Sequence, residues 1–239
     1  MSFDVIAFDA DDTLWENEYL YSQAKEKFLN LLSECTDREA CGRRLDELEM
    51  GNVRYYGYGI KSFILSMIEA ALELSNGQVA AEKIAAILGI ARQMLSADVL
   101  LIDGVGEVLE SLAQRYPLML ITKGDPSEQR PKIIHSGLAD YFRWVEVVHE
   151  KAPEVYRTLL ERYAIRAERF LMVGNSLRSD ILPVLEIGGQ AVYIPYAHTW
   201  AHENVTDEPA GAYATLENLR QLPALVEQLA KDPSRSRHE

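Results

Sequence analysis

Cysteine is scarce in this chain: it has two, Cys35 and Cys41, both in the first third. Their spacing fits neither a CxxC redox pair nor a zinc-ligand pair. Two reduced structural thiols in a helical stretch are expected, in preference to a disulfide or a metal site. Basic residues are also in deficit, 24 against 37 acidic ones, for a net charge of −13. Such a surface repels polyanions, so neither nucleic acid nor an anionic membrane is expected as a partner. Long apolar runs are missing too. Val99–Ile102 and Leu118–Ile121 are typical of the longest, whereas a bilayer span needs about 20 residues. The opening MSFDVIAFDADD lacks the positive region, apolar stretch and small-residue cleavage site of a signal peptide, and a cytoplasmic location is expected. No internal repeat or low-complexity segment is visible.

What is present is a globular composition, 48% apolar and 26% charged over 239 residues, enough for one large domain or two modest ones. Val5–Phe8 is a short apolar run ended by acidic residues, the pattern of a buried parallel strand. The pattern recurs at Leu118–Thr122, Trp144–Val148, Phe170–Val173 and Ala191–Ile194. Helical patterns lie between them at Gly106–Arg115, Gln129–Ser136, Pro153–Tyr163 and Ser179–Ile187. Proline opens the third of these at a natural first-turn position, and Gly188-Gly189 stops the fourth. Strand and helix alternating at this pitch predict βαβ units and an open parallel sheet, a Rossmann-like α/β core.

The rhythm breaks between Asn17 and Asp98. Glu18–Leu32, Arg38–Met50, Ile60–Leu74 and Val79–Leu95 read as amphipathic helices, with Asp37 as a cap and Ser75-Asn76-Gly77 as a turn. Roughly eighty residues of helix are too many for a crossover. The organisation predicted is an α/β core from residues 1–16 and 99–231, an inserted α-helical domain over 17–98, and a frayed polar tail, Asp232–Glu239.

Candidate chemistry gathers at the strand ends. Asp9, Asp11 and Asp12 follow the first strand, where open α/β sheets bind ligands. Two unit charges about 4 Å apart cost on the order of 4 kcal/mol at an effective dielectric near 20. A cluster of this kind persists when a divalent cation neutralises it, and oxygen-only donors select a hard ion such as Mg²⁺. Strand two ends in Thr122-Lys123-Gly124, Lys151 precedes the helix at Pro153, and strand four ends in Gly174-Asn175-Ser176, with Asp180 beyond.

This ordered set resembles the haloacid dehalogenase-like (HAD) hydrolase superfamily, subfamily I, whose helical cap follows the first strand. Its four motifs match Asp9-Ala10-Asp11-Asp12-Thr13, the LMLITKG strand with Thr122, Lys151, and Gly174-Asn175-Ser176-Leu177-Arg178-Ser179-Asp180, over about residues 5 to 195. The resemblance implies that Asp9 is a nucleophile forming an aspartyl-phosphate and Asp11 a general acid and base. It implies Mg²⁺ held by Asp9, the Asp11 backbone carbonyl and Asn175, with Asp180 supporting from behind. Thr122 and Lys151 would bind the phosphoryl oxygens, and Lys123, Asp12 and Trp15 join the candidate substrate contacts. The expected activity is a magnesium-dependent phosphatase acting on a small phosphorylated metabolite, as a monomer or homodimer. A phosphomutase, a 2-haloacid dehalogenase and a non-catalytic phospholigand binder are the alternatives. The family's dehalogenases lack an acid at the position of Asp11, because a halide leaves unprotonated.

Three positions depart from the family pattern: Asn175 stands where aspartate is usual, Lys123 where asparagine is common, and Asp12 where glycine is common. Two other stretches invite functional readings. His198, His202 and Glu203 carry half of a zinc-like spacing, read here as a surface loop. Arg54-Tyr55-Tyr56-Gly57-Tyr58-Gly59 reads as a loop between two helices of the insert, either packed or touching substrate.

Overall fold

The computed structural model describes residues 3–196 and 213–231. The predicted tail, Asp232–Glu239, and the His198, His202 and Glu203 group lie outside the described residues. Two compact units emerge, one from residues 1–16, 99–123 and 129–239, the other from 17–98 and 124–128.

In the first unit six strands form a parallel sheet: β1 (Val5–Phe8), β2 (Leu118–Lys123), β3 (Trp144–Val148), β4 (Phe170–Gly174), β5 (Gln190–Tyr193) and β6 (Ala214–Thr215). Their order is β3-β2-β1-β4-β5-β6. The direction of winding thus reverses beside β1, the switch point at whose carboxyl side ligands bind in such sheets. Strand residues alternate between faces. Ile6, Phe8, Leu118, Leu120, Leu171 and Val173 pack with Val108, Leu109 and Val226 from α5 (Val105–Ala113) and α9 (Leu222–Lys231). Val5, Ala7, Met119, Ile121 and Met172 pack with Tyr156, Leu159 and Val184 from α7 (Pro153–Arg162) and α8 (Leu182–Glu186). Burial on both faces explains why the central strands read as unbroken apolar runs.

Sequence patterning missed β6 and α9. Two residues of strand carry no period, but Leu222, Leu225, Val226 and Leu229 stand at i, i+3, i+4 and i+7, a helical signal that was available. The helix expected at Ser179–Ile187 instead opens as a π-helical turn, Leu177–Ile181, before α8.

The second unit has four helices, α1 (Glu18–Leu31), α2 (Arg38–Tyr56), α3 (Ile60–Leu74) and α4 (Ala81–Leu95), around a core that includes Phe28, Leu45, Met67 and Ile87. Asp37 caps α2, accepting from the Ala40 amide at 3.0 Å. Helix α2 continues to Tyr56, past the expected end at Met50. Arg54, Tyr55 and Tyr56 therefore belong to its last turn and only Gly57–Gly59 remain as linker, a correction to the loop reading. The pattern failed there because Tyr55 and Tyr56 stay exposed, and exposure removes the apolar period on which the helix boundary was judged.

Segment 124–128 packs with the helical unit because it supplies the cap that α3 lacks. Gly59 has no side chain to offer, and the Glu128 carboxylate accepts from the Ile60 amide at 2.8 Å and the Lys61 amide at 3.2 Å. Gly59 sits at φ +116°, and a Cβ there would come within 2.5 Å of Glu128 Oε2. Replacing Glu128 with Ala should cost about 1 kcal/mol and speed hydrogen exchange in the first turn of α3, while exchange at the other end of α3 stays unchanged. Native-state exchange by mass spectrometry of both proteins checks this.

Candidate active site

The chain leaves β1 through Asp9, whose amide still donates to the Val173 carbonyl at 2.9 Å, so the residue is held as an extension of the sheet. It then curls around the Ala10 carbonyl, which accepts from the amides of Thr13, Leu14 and Trp15. The curl drives Asp12 to φ +61°, in the left-handed region. Aspartate tolerates that conformation better than most residues, and it explains why glycine is an alternative at this position. Trp15 then bridges to Leu101, and the Glu16 amide donates to the Leu100 carbonyl at 2.8 Å, closing the path around the inserted residues.

Lys151 and two carboxylates form the centre. Its ammonium donates to Asp9 Oδ1 at 2.5 Å and to Asp180 Oδ1 at 2.7 Å, and all three residues are buried. With both carboxyls ionised the group carries one net negative charge. Burial alone would push the Lys151 pKa down, but the flanking Asp180 and Asp9 charges more than reverse it and hold the ammonium protonated. Burial raises the Asp9 carboxyl, against the opposing pull of Lys151. Asp180 is pushed up to about 7, again by burial and against Lys151. Its other oxygen accepts from the Ser176 amide at 3.0 Å. Gly174 makes this fold-back possible, since a Cβ there would lie 2.2 Å from Asp180 Oδ2. The turn is fixed by Ser176, whose hydroxyl caps the Ser179 amide at 2.9 Å, and by Tyr156, whose hydroxyl donates to the Ser179 carbonyl at 3.0 Å.

Thr13 links Asp9 to Asn175. Its hydroxyl lies 3.1 Å from Asp9 Oδ2 and 3.1 Å from Asn175 Oδ1. One proton cannot serve both acceptors, so two oxygens converge on a spot richer in lone pairs than in donors. Hard oxygen donors of this kind suit Mg²⁺, with a carboxylate and an amide oxygen in place and the Asp11 carbonyl nearby in sequence. Among the described residues no three His, Cys, Asp or Glu side chains cluster as metal ligands, and the set here differs from that pattern by its amide and carbonyl members. Thr122, at the end of the neighbouring strand, is 1% exposed and its hydroxyl has no hydrogen-bond partner. The Lys123 ammonium approaches Ser179 Oγ at 3.3 Å and Glu150 at 3.9 Å.

Asp11 faces a different set of partners: the Trp15 indole N–H, the Gln129 amide and the Lys132 ammonium. The structure thus joins Asp9, Lys151 and Asp180 in one network and Asp9 with Asn175 in another. Trp15 is a core residue, 1% exposed, turned toward Asp11. Thr13, Gln129 and Lys132 were not singled out by sequence reasoning. Thr13 lay inside the first motif without a role, whereas Gln129 and Lys132 carry no local signal, because only the fold returns α6 (Pro126–His135) to Asp11.

Removing the cation from the centre gives a direct test. Lys151→Met leaves two buried carboxylates without their counter-charge and should destabilise the fold by about 3 kcal/mol at neutral pH. Carboxyls whose folded pKa is raised add a penalty that is absent below their ordinary value, 3.8, and complete only above the folded value, which is about 7 for Asp180 with Lys151 in place and higher once the ammonium is removed. Urea unfolding in magnesium-free buffer should therefore show a smaller loss near about pH 5 than near about pH 8.

The sequence profile of haloacid dehalogenase-like hydrolases matches residues 3–188. A glyceraldehyde 3-phosphate phosphatase from Pyrococcus abyssi is 32% identical over 101 residues, covering 40% of this chain and 42% of that protein, so the match spans under half of the relative. A protein of the same name from Methanothermobacter thermautotrophicus is 23% identical over 231 residues, covering 92% of this chain and 98% of its own. The crystal structure of a haloacid dehalogenase-like family hydrolase from Xanthomonas campestris superposes with a TM-score of 0.88 at 40% identity, covering 99% of this chain and 95% of that one. With a profile match across both the strand that carries Asp9 and the turn that carries Asp180, and a parallel sheet shared with a solved member, the chain belongs to the haloacid dehalogenase-like hydrolases.

Proposed function

We propose that this hydrolase is a magnesium-dependent phosphatase that cleaves the monoester of a small phosphorylated metabolite through an aspartyl-phosphate on Asp9. The observation that carries the reading is the Thr122 hydroxyl, buried at the carboxyl edge of the sheet with no partner. Leaving a buried hydroxyl unpaired costs about 1–3 kcal/mol, and a phosphoryl oxygen is the acceptor that would remove the cost. Lys151 offers a second, charged donor beside Asp9. The relatives named for glyceraldehyde 3-phosphate add support and make that compound the first substrate to try.

In the first half of the reaction an Asp9 oxygen attacks phosphorus, the ester P–O bond breaks, and the leaving alkoxide takes a proton from Asp11. In the second half water attacks the phosphorus, its proton returns to Asp11, and the bond to Asp9 breaks to release inorganic phosphate. An alkoxide needs that proton and a halide does not, which is why Asp11 favours phosphatase over dehalogenase. Lys151 and Thr122 hold the phosphoryl oxygens, and Asp180 fixes Lys151 from behind. Asp9, Asn175 and the Asp11 carbonyl would hold magnesium, which would supply positive charge against the carboxylates and the phosphoryl group.

Asp9→Asn should lower phosphate release by on the order of a thousandfold or more while the unfolding transition stays cooperative. Substantial turnover by the folded variant would rule out Asp9 as the nucleophile. A neutral amide at 175 weakens attraction to a divalent ion, so activity should saturate only at high magnesium. Asn175→Asp should lower the half-saturating concentration by roughly tenfold, equivalent to about 1.4 kcal/mol. Magnesium titrations of the two proteins decide it, and no shift would remove position 175 from the ligand set.

A further inference from the structure

The side chain of Asp11 is held more firmly than its place on a curled loop requires. Its Oδ1 accepts from the Trp15 indole N–H at 2.6 Å and from the Lys132 ammonium at 2.6 Å. Its Oδ2 accepts from the Gln129 amide at 2.8 Å. Gln129 and Lys132 are three residues apart on α6, on one face of the helix, so a single rigid element presents both groups. Stability alone does not account for the arrangement. Lys132 and Asp11 are each about a fifth exposed, so their pair is largely shielded from water and contributes on its own account, but Gln129 does not fit that reading. Gln129 is 5% exposed and its Oε1 finds no partner, which costs the fold energy. Against that cost stand the bonds of its amide nitrogen, to Asp11 and, at 3.4 Å, to the Lys123 carbonyl.

We propose that Gln129 and Lys132 are positioning residues for the reaction, which together with Trp15 fix the Asp11 carboxyl group against the ester oxygen. A carboxylate oxygen accepts two hydrogen bonds comfortably. Oδ1 has both, whereas Oδ2 has one, so Oδ2 is the oxygen left with an open lone pair and is the atom that exchanges a proton with the leaving group and then with water. Correct alignment of an acid with the oxygen it protonates matters most where the leaving group is strongly basic. The inference rests on the phosphatase reading of Asp11 and adds to it the residues that aim the group.

The test compares phenyl phosphate, with the more basic leaving group, and 4-nitrophenyl phosphate, with the less basic one, in single-turnover reactions with magnesium. The proteins are the natural one and its Asp11→Asn, Gln129→Met, Lys132→Met and Lys132→Arg variants. Asp11→Asn should lose roughly tenfold more on phenyl than on 4-nitrophenyl phosphate, and Gln129→Met and Lys132→Met should show the same selective loss. Lys132→Arg should recover part of it. Gln129→Met removes the unpaired buried oxygen together with the donor to Asp11 and Lys123, so its melting temperature should move little, and the split between the two substrates is the readout that a merely structural role would not give. If Asp11→Asn is selective while Gln129→Met and Lys132→Met slow both substrates equally, or neither, the positioning inference is overturned and the phosphatase reading stands. If Asp11→Asn itself shows no selectivity, the acid role fails and the inference fails with it. Should Gln129→Met not fold, the Lys132 pair alone carries the decision.

Discussion

Everything at the carboxyl edge of the sheet depends on one buried ammonium. Lys151 sits between Asp9 and Asp180, and without it two carboxylates would face each other where water cannot screen them. The ammonium makes the close packing of acids tolerable, yet it leaves one negative charge unmatched. With both carboxyls ionised, that residue of charge leaves the carboxyl edge electronegative. The same contact orients Asp9, because a carboxylate with one oxygen bonded to a fixed ammonium has little rotational freedom left.

The backbone serves this contact at several removes. Gly174 gives up its side chain so that Asp180 can turn back beneath the strand end. Ser176 and Tyr156 pin the turn that carries Asp180. Lys151 arrives from the segment before α7, whose Tyr156 and Leu159 are sunk in one of the two apolar layers that cover opposite faces of the sheet. The charge network is thus rigid because the hydrophobic layer beneath it is rigid.

Much of the fold was legible in the sequence, for a physical reason. A central strand of a parallel sheet is apolar on both faces, so Val5–Phe8, Leu118–Thr122 and Phe170–Val173 could be read as uninterrupted runs, and the residues after each run had to fall at one edge. That is why Asp9, Thr122 and Asn175 were visible as a group before any coordinates. The two-residue strand β6 gave no such run, and the extent of α2 was hidden by exposed tyrosines. Within the site, what could not be read were contacts set by the phase of a helix. Nothing in the order of Gln129 and Lys132 says that α6 brings them onto Asp11, and nothing in Thr13 says that its hydroxyl will stand between Asp9 and Asn175. Asp12 is an intermediate case. Its departure from glycine was visible, and the positive φ that governs the choice was not.

The central position of β1 has a consequence for how the chain assembles. Both of its neighbours, β2 and β4, are encoded far downstream, and the inserted helices come between. During synthesis the strand that carries Asp9 precedes the other described strands and waits for β2, and then for β4, before both of its edges are paired. Loop closure over residues 9–117, between β1 and β2, adds little to the equilibrium cost, since each doubling of length costs only about 0.6 kcal/mol. In time the delay is large, because contacts between distant segments form slowly. Until they form, Val5–Phe8 is an apolar ribbon with both edges open to other chains. The four helices of the insert, built from local contacts, can fold during that interval. The nascent protein is therefore exposed to aggregation at the strand that carries Asp9 until that strand's neighbours arrive.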